Sequence, residues 1–264
     1  MADSLHSKHG MPLDEYRRKR NFAKTPEPSG ERKPESRTPR KPETLYFCVQ
    51  KHLASRLHYD LRLEHDGVLL SWAVPRGPSL DHRDKHMAVR TEDHPYDYGE
   101  FEGVIPEGYG AGVVMLWDSG TWQPEADDVD AALEKGDLKF TLDGYKLKGS
   151  WVLVRTRDRP GTAAAQRGRS WLLIKHRDHW SGALDITTFA PLSVKSEGDF
   201  DDILAAEMPA LWVAARAGTG GAPNKLLREV VAKAASKIAE RERTTQPPAS
   251  GQRRAAKRKP PQGR

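Results

Sequence analysis

The segment KHLASRLHYDLR (residues 51–62) holds the residues of this chain that are best suited to chemistry. If it forms a β-strand, His58, Asp60 and Arg62 share one face, because side chains alternate along a strand. His52 lies six residues before His58 and can return to that face through a turn. Two imidazoles and a carboxylate can hold a divalent metal with open positions, and Arg62 can bind phosphate through its planar guanidinium. A buried polar network is the alternative explanation.

The other face of this strand is apolar and predicts packing into a core. From Thr44 onward the chain shows short strands with alternating polarity, divided by Gly, Pro or Asp. Eight such strands predict an antiparallel barrel or sandwich, and the missing βαβ rhythm argues against a parallel sheet. The candidates are LYFCVQKH, LHYDLRLEHD, VLLSWAVP, HMAVRTE, GVVMLWDSGTW, LKFTLDG, KLKGSWVLVRT and SWLLIKHR. The Asp-Gly in the segment KFTLDGYKLKGSWVLV predicts a hairpin.

Helices are predicted outside these strands. A short one begins near Leu13 and ends near Phe22, and another in 127–137 begins with acidic capping residues and ends near Gly136. FDDILAAEMPALWVAA predicts a helix interrupted at Pro209, and NKLLREVVAKAASKIAERER predicts an amphipathic helix. The expected organisation is a basic arm (1–43), a β-domain (44–190), a helical extension (191–243) and a disordered basic tail (244–264).

Composition and charge bound the possible functions. Only 37% of residues are hydrophobic, mean hydropathy is −0.74, and the one cysteine, Cys48, excludes an intrachain disulfide. Neither a signal peptide nor a membrane-spanning run is evident, so we expect a cytoplasmic protein. Residues 1–43 hold 11 Lys and Arg against 7 Asp and Glu, and residues 224–264 hold 12 against 3. Basic ends favour binding to the phosphate backbone of nucleic acid, although they also serve solubility.

Two long strings carry a family resemblance. KHLASRLHYDLRLEHDGVLLSWAVPRGPS and VRTEDHPYDYGEFEGVIPEGYGAG closely resemble the 3′-phosphoesterase domain of bacterial DNA ligase D, a nuclease module that heals DNA ends. The similarity runs from about Leu13 to about Ile186. It implies a mainly β fold, an antiparallel β-barrel of about eight strands with its active site in a concave face, and manganese as the metal. Zn²⁺ and Co²⁺ also suit these ligand types.

The resemblance also implies roles for individual residues. His52, His58 and Asp60 would hold the metal. Phosphate would be contacted by Arg20, Arg62, Arg76, His94 and Tyr98, with Glu27 and Glu92 in support. His94 is alternatively a general acid, since its unperturbed pKa lies near neutrality. Taken without the resemblance, Arg20 and Arg76 are ordinary surface cations and Tyr98 is a packing aromatic.

Three positions depart from the family pattern. Asn21 stands where the family usually has aspartate, and asparagine cannot carry charge or act as a base. This departure bears on removal of a terminal phosphate. Arg76 replaces a more common lysine, and His86 replaces an arginine. The glycine-rich EGYGAG (107–112) lacks the GK[ST] of a P-loop, so it predicts a tight turn.

The resulting hypothesis is a free-standing, metal-dependent phosphoesterase that acts on DNA 3′ ends near the nucleoid. It would remove a 3′-terminal ribonucleoside and then the 3′-phosphate, and polymerase and ligase partners would be separate chains. Two alternatives remain at this point. His58-x-Asp60 with a later His94 also fits an Fe(II) oxygenase triad, and the departures at Asn21 and His86 also fit a non-catalytic module that tethers DNA or a ligase.

Overall fold

The computed structural model describes residues 13–30, 44–158, 161, 168–206 and 225–245. Its helices are α1 (Asp14–Arg18), α2 (Val129–Lys135), α3 (Ile186–Phe189), α4 (Phe200–Ala206) and α5 (Lys225–Thr245), and a 3₁₀ helix spans Tyr96–Glu100. The strands are β1 (Leu45–Leu53), β2 (Leu57–His65), β3 (Val68–Val74), β4 (His86–Arg90), β5 (His94–Pro95), β6 (Gly103–Ile105), β7 (Gly112–Pro124), β8 (Asp137–Gly144), β9 (Lys148–Arg155) and β10 (Ser170–Lys175).

Eight of these strands close an antiparallel barrel in the order β1-β2-β3-β4-β10-β9-β8-β7, and β7 pairs with β1 to complete the ring. These eight are the strands that the sequence predicts, so the barrel is confirmed over the sandwich. β8 and β9 form the hairpin expected from Asp143-Gly144, with residues 145–147 as the connection. The two short strands β5 and β6 were not predicted. They lie outside the ring, on β3 and β7 respectively.

The two faces of β2 lie in different surroundings. Tyr59, Leu61 and Leu63 belong to a large core cluster with members from all eight ring strands, which identifies it as the barrel interior. Five tryptophans pack in this interior, namely Trp72, Trp117, Trp122, Trp151 and Trp171. Asp60 and Arg62 face outward, toward a smaller cluster that contains Tyr16 and Tyr98 as well as the buried Cys48. The chemically useful residues therefore lie on the outer surface of the barrel.

The N-terminal segment 13–30 covers part of this outer surface. Helix α1 ends at Arg18, so the prediction of an end near Phe22 was wrong. The reason lies in the residues that follow: Arg20 turns its side chain inward, and its Nη1 donates to the Tyr16 carbonyl at 3.2 Å. Asn21 then forms a turn in which its Oδ1 accepts from the Ala23 N–H. Tyr16 is fully buried and anchors the segment on the barrel.

Strand β4 ends at Arg90, two residues before the end of the predicted strand HMAVRTE. Arg90 donates its backbone N–H to Arg169, and Thr91 donates to Ser71, which turns the chain away from β10 and toward β3. His94 then pairs with Leu69 in the separate strand β5. Glu92 and His94 nevertheless reach the same place, because both contact Arg20.

The other predicted helices match their sequence patterns where the structure describes them, whereas α3 and the 3₁₀ helix were not predicted. Asp128 caps α2 by accepting from the Ala131 N–H, and Gly136 ends it with φ +81°. The interruption predicted at Pro209 lies outside the described residues. Helix α5 buries Leu227, Val230 and Ala234 and packs against α4, where Lys237 pairs with Asp201 and Asp202. Among the described helices, none is long and apolar enough to cross a membrane.

Candidate active site

The β1–β2 hairpin brings His52, His58 and Asp60 together. His52 and His58 are register partners across the antiparallel pair, and their ring centroids lie 4.7 Å apart. Asp60 follows on the same face of β2, with Oδ2 3.8 Å from His52 Nδ1 and Oδ1 3.6 Å from His58 Nε2. One ligand atom from each of the three residues lies within 4.8 Å of the other two. The turn that the sequence predicted between the histidines therefore closes this cluster.

Hydrogen bonds orient both imidazoles. His52 Nε2 lies 2.8 Å from the Gly110 carbonyl and His58 Nδ1 lies 3.0 Å from the Arg56 carbonyl. A carbonyl only accepts, so each of these nitrogens carries the proton. The opposite nitrogen of each ring, His52 Nδ1 or His58 Nε2, then presents a lone pair toward Asp60. Imidazoles held by a second hydrogen bond in this way are typical of metal ligands.

The electrostatics of the cluster also fit a divalent cation. Burial alone would raise the pKa of Asp60, but the Arg62 guanidinium and His58 hold it well below its usual range. The carboxylate is therefore ionised at neutral pH. Burial lowers the pKa of His52. Burial also acts to lower the pKa of His58, but Asp60 and the Arg56 carbonyl together raise it. An ionised carboxylate and two oriented imidazoles match the donor set that Mn²⁺, Zn²⁺ or Co²⁺ prefers.

Arg62 is fixed beside the group formed by His52, His58 and Asp60. Its side chain is 3% exposed, and it donates from Nε to Gln50 at 2.7 Å, from Nη1 to Ser71 at 2.8 Å and from Nη2 to Asp60 at 3.2 Å. Its guanidinium also lies 4.8 Å from the Tyr98 ring centroid. Among the described residues, these contacts use three of the five N–H groups, which leaves two that could bind an anion.

Arg20 reaches the same site from the N-terminal segment. Its Nε donates to Glu27 at 2.8 Å and its Nη1 to Glu92 at 3.2 Å, and all three side chains are almost fully buried. Its Nη2 lies 3.3 Å from His94 Nε2. Two carboxylates around one guanidinium fix its position and compensate the cost of burying its charge.

His94 is held as a neutral imidazole. Its Nδ1 lies 2.9 Å from the Glu92 carbonyl and therefore carries the proton, so Nε2 accepts from Arg20. Burial, with the nearby Arg62 and Arg20, holds the pKa of His94 well below its ordinary value. The neighbouring Tyr98 packs against the His94 ring at 4.7 Å, and Gln50 ties the Tyr98 backbone to β1. A neutral His94 favours a hydrogen-bonding role over that of a general acid.

A cavity of about 430 Å³ joins these groups. Of the residues predicted for the site, it is lined by His52, His58, Asp60, Arg62, Arg20, Glu92, His94 and Tyr98. Glu27 is not among the lining residues and instead pairs with Arg20. Arg76 lies in the exposed turn after β3 and is not among the lining residues, so its phosphate contact stays a prediction. His86 is buried with Nδ1 2.5 Å from the Gly77 carbonyl, and Asn21 is exposed.

Several contributors were not predicted. Lys19 pairs with Glu92 at 2.9 Å, Ser71 accepts from Arg62, and the Gly110 carbonyl orients His52. Ser71 and Gln50 had a visible signal, because each is a polar residue within an otherwise apolar strand. Lys19 had none, since it lies in a run of similar cations.

The geometry also bears on two motifs. The EGYGAG segment forms the predicted tight turn, with positive φ at Gly108 and Gly110. In the oxygenase alternative His94 would be a ligand, but its two nitrogens face Glu92, Ser71 and Arg20. Within the described part of the chain, the ligand group beside Asp60 instead contains His52.

Comparison with known proteins agrees with this architecture. Residues 50–155 match the family model described as the DNA ligase D 3′-phosphoesterase domain. The multifunctional non-homologous end joining protein LigD of Pseudomonas aeruginosa is 53% identical over 192 residues, which cover 70% of this chain and 21% of that protein. The LigD protein of Mycolicibacterium smegmatis is 38% identical over 186 residues, covering 68% and 22% respectively. That of Mycobacterium tuberculosis is 45% identical over 145 residues, covering 54% and 18%.

The chain thus spans about a fifth of the length of these relatives. The matched residues run from β1 to β9 and include the His-His-Asp group of His52, His58 and Asp60. They also include Arg62 and His94. Through this barrel, the chain belongs to the 3′-phosphoesterase domain family of DNA ligase D.

Proposed function

We propose that this protein is a metal-dependent 3′-phosphoesterase that processes DNA ends for non-homologous end joining. It removes a 3′-terminal ribonucleoside to leave a 3′-phosphate, and then removes that phosphate to leave a 3′-OH. The observation that carries this proposal is one cavity in which a His-His-Asp group adjoins two buried guanidiniums. The family match supports the reaction class, a hydrolase acting on phosphoester bonds.

His52, His58 and Asp60 hold the metal in this proposal, and Mn²⁺ is the ion we expect. A bound divalent cation polarises a phosphoryl oxygen and neutralises the charge that develops on it. Asp60 would contact both the metal and Arg62, because its Oδ2 also accepts from Arg62. Arg62 is thereby positioned next to the proposed metal site, and its other two N–H groups are left for phosphate oxygens.

Arg20 and Arg62 bind the remaining phosphate oxygens. Arg20 is held by Glu27 and Glu92, so that substrate binding requires little reorganisation of its guanidinium. His94 and Tyr98 complete the phosphate site as neutral hydrogen-bonding groups. For Arg76, contact with phosphate would require a DNA strand that extends beyond the cavity to the turn after β3.

DNA 3′ ends are the proposed partners, in particular primer–templates whose primer ends in a ribonucleotide or a 3′-phosphate. A repair polymerase and a ligase are the enzymes that use a 3′-OH, so we propose that they act on the product. We therefore propose that the protein acts at the nucleoid. The relatives are named as multifunctional end-joining proteins, which agrees with a role beside those activities.

The test is cleavage of a 5′-labelled primer–template that ends in one ribonucleotide, in the presence of Mn²⁺. We expect shortening to a 3′-phosphate and then to a 3′-OH. His58→Ala should abolish both steps and weaken Mn²⁺ binding at least tenfold, measured by titration calorimetry. His82→Ala is the matched control, because His82 is exposed and lies outside the cavity. Absence of any product from folded, Mn²⁺-loaded protein would refute the proposal.

The second step tests the departure at Asn21. Its side chain lies in an exposed turn and bonds to the Ala23 N–H rather than to Arg20. If a carboxylate is required for the monoester step, wild-type protein stops at the 3′-phosphate and Asn21→Asp completes the reaction. Equal conversion by both proteins would show that this position does not limit the second step.

A further inference from the structure

A second groove continues from the candidate active site along the N-terminal segment. It has a volume of about 490 Å³ and shares Arg20, Glu107, Gly108 and Tyr109 with the active-site cavity. One wall is the segment 18–27 and the other is the tip of the 105–111 loop. A molecule bound in the groove therefore meets the active site at Tyr109.

The groove is predominantly cationic. Arg18, Lys19, Arg20 and Lys24 line it, against the carboxylates Glu27 and Glu107. Glu27 is already paired with Arg20, and Glu107 is paired with Lys24 at 2.8 Å. The Lys24–Glu107 pair is exposed, so a competing anion can replace it at small cost. Arg18 makes no ion pair with another described residue.

Tyr109 stands at the junction as a half-exposed ring, 50% accessible to solvent. The ammonium of Lys19 lies 4.7 Å from its centroid and the guanidinium of Arg20 lies 5.7 Å away. The buried aromatic rings of this barrel pack in its core, but the Tyr109 ring is not part of that core. An exposed aromatic ring among cations, in a groove that leads to a phosphate site, is the arrangement that stacks on nucleic-acid bases.

We propose that this groove binds the DNA strand on the 5′ side of the cleaved bond, with Tyr109 stacked on the base of the nucleotide that keeps the phosphate. This inference rests on the proposed function. The charge of the groove indicates which side of the cleaved bond it binds. Nucleotides on the 5′ side carry further phosphates, which Arg18 and Lys24 can bind. The departing 3′-nucleoside carries no further phosphate. Tyr109 is thus a substrate-binding residue that contacts the same nucleotide in both steps.

The test compares Tyr109→Ala with Tyr109→Phe, which retains the ring, and with Tyr145→Ala, which removes a tyrosine that is 76% exposed in the β8–β9 connection. Each is assayed on primer–templates ending in a ribonucleotide or in a 3′-phosphate. Both substrates are also made with an abasic site at the nucleotide that keeps the phosphate. KM and kcat are measured separately.

Tyr109→Ala should raise KM about tenfold on both base-containing substrates and change kcat less than twofold. Tyr109→Phe and Tyr145→Ala should behave as wild type. On the abasic substrates, wild type and Tyr109→Ala should have equal KM. An unchanged KM, or an effect that persists on abasic substrates, would overturn the proposal. An effect confined to the ribonucleotide substrate would also overturn it, since the ring would then contact the departing nucleoside.

Direct binding separates this inference from the proposed function. If the wild type cleaves neither substrate, the proposed function fails, and fluorescence anisotropy with the same primer–templates still decides the role of Tyr109 by comparing base-containing with abasic DNA. Arg18→Gln and Lys24→Gln should each lower the slope of log affinity against log salt by about one, as expected for the loss of one phosphate contact. Lys139→Gln is the control, because Lys139 is exposed on β8 and lies outside the groove. Equal salt dependence in all three variants would exclude the groove as the path of the strand.

Discussion

At the scale of single residues, hydrogen bonds assign different chemistry to histidines that look alike in the sequence. His52 and His58 each donate to a backbone carbonyl and direct a lone pair toward Asp60. His94 also donates to a carbonyl, but its lone pair receives the guanidinium of Arg20. The first two are therefore suited to a metal, and the third to a cationic phosphate site.

His94 should make the metal-free protein less stable in acid. Its folded-state pKa is lowered, so its stabilising contribution is complete above the unfolded-state value of 6.5 and is lost as pH falls below it. Between pH 7.5 and 5.5 this loss amounts to about 1.4 kcal/mol of unfolding free energy. In urea titrations with EDTA, His94→Gln should lose less stability over this interval than wild type, by about that amount. Parallel losses would show that His94 titrates normally.

Glu27 should act on catalysis through Arg20. Glu27→Gln keeps the size of the side chain but replaces a charge-assisted hydrogen bond to Arg20 Nε with a neutral one. We expect cleavage to slow about 10- to 100-fold, since hydrogen bonds to charged groups contribute about 1.5–3 kcal/mol. Mn²⁺ affinity should not change. Glu15→Gln, which alters a partly exposed partner of Lys19, is the control, and parallel losses of activity and Mn²⁺ binding would contradict a role confined to Arg20.

At the scale of elements, the site depends on a hairpin and on the loop that closes over it. The alternating pattern of β2 predicts one polar face, and the spacing of His52 and His58 predicts their approach through a turn. Contacts made between distant parts of the chain had no such local signal. The placement of Arg20 depends on a helix that ends early, and that of His94 on a chain reversal after β4. These features arise from tertiary hydrogen bonds, which a periodic pattern does not encode.

The 105–111 loop should control metal affinity through one backbone carbonyl. Gly110 has φ +78°, a conformation that strains any other residue, although a Cβ there would meet nothing closer than 3.8 Å. Gly110→Ala should therefore shift the backbone and displace the carbonyl that orients His52. We expect Mn²⁺ affinity to fall about 10- to 100-fold, the usual effect of losing such a partner. Titration calorimetry measures it.

Gly67→Ala is the matched control for this loop. Gly67 has φ +80° and open space around it, in the turn between β2 and β3. The substitution introduces the same kind of backbone strain, so both variants should lose a similar amount of unfolding free energy, about 1 kcal/mol. Only Gly110→Ala should bind Mn²⁺ more weakly. An equal effect on metal binding would mean that general destabilisation, rather than the Gly110 carbonyl, is responsible.

At the scale of the whole molecule, charge is separated along the chain. Residues 44–223 hold 20 Lys and Arg against 27 Asp and Glu, whereas both ends are basic. The acidic balance of the central region disfavours broad contact with DNA, so the cations of the groove and of the terminal segments must supply most of the attraction. Under the proposed function, this arrangement would separate affinity, which long-range charge would provide, from chemistry, which would occur in a small buried site.

Removal of residues 246–264 tests that separation. The deleted stretch contains six Lys and Arg and no Asp or Glu, and it follows directly after α5. We expect weaker binding to a primer–template at 50 mM salt, a shallower dependence of log affinity on log salt, and convergence with the full chain above about 200 mM salt. The residues that line the cavity all lie between positions 20 and 111, and none belongs to the deleted stretch, so kcat should be unchanged. A full-length variant with these six cations replaced by glutamine should match the truncation. A deficit that persists at high salt would instead indicate a specific contact made by this stretch.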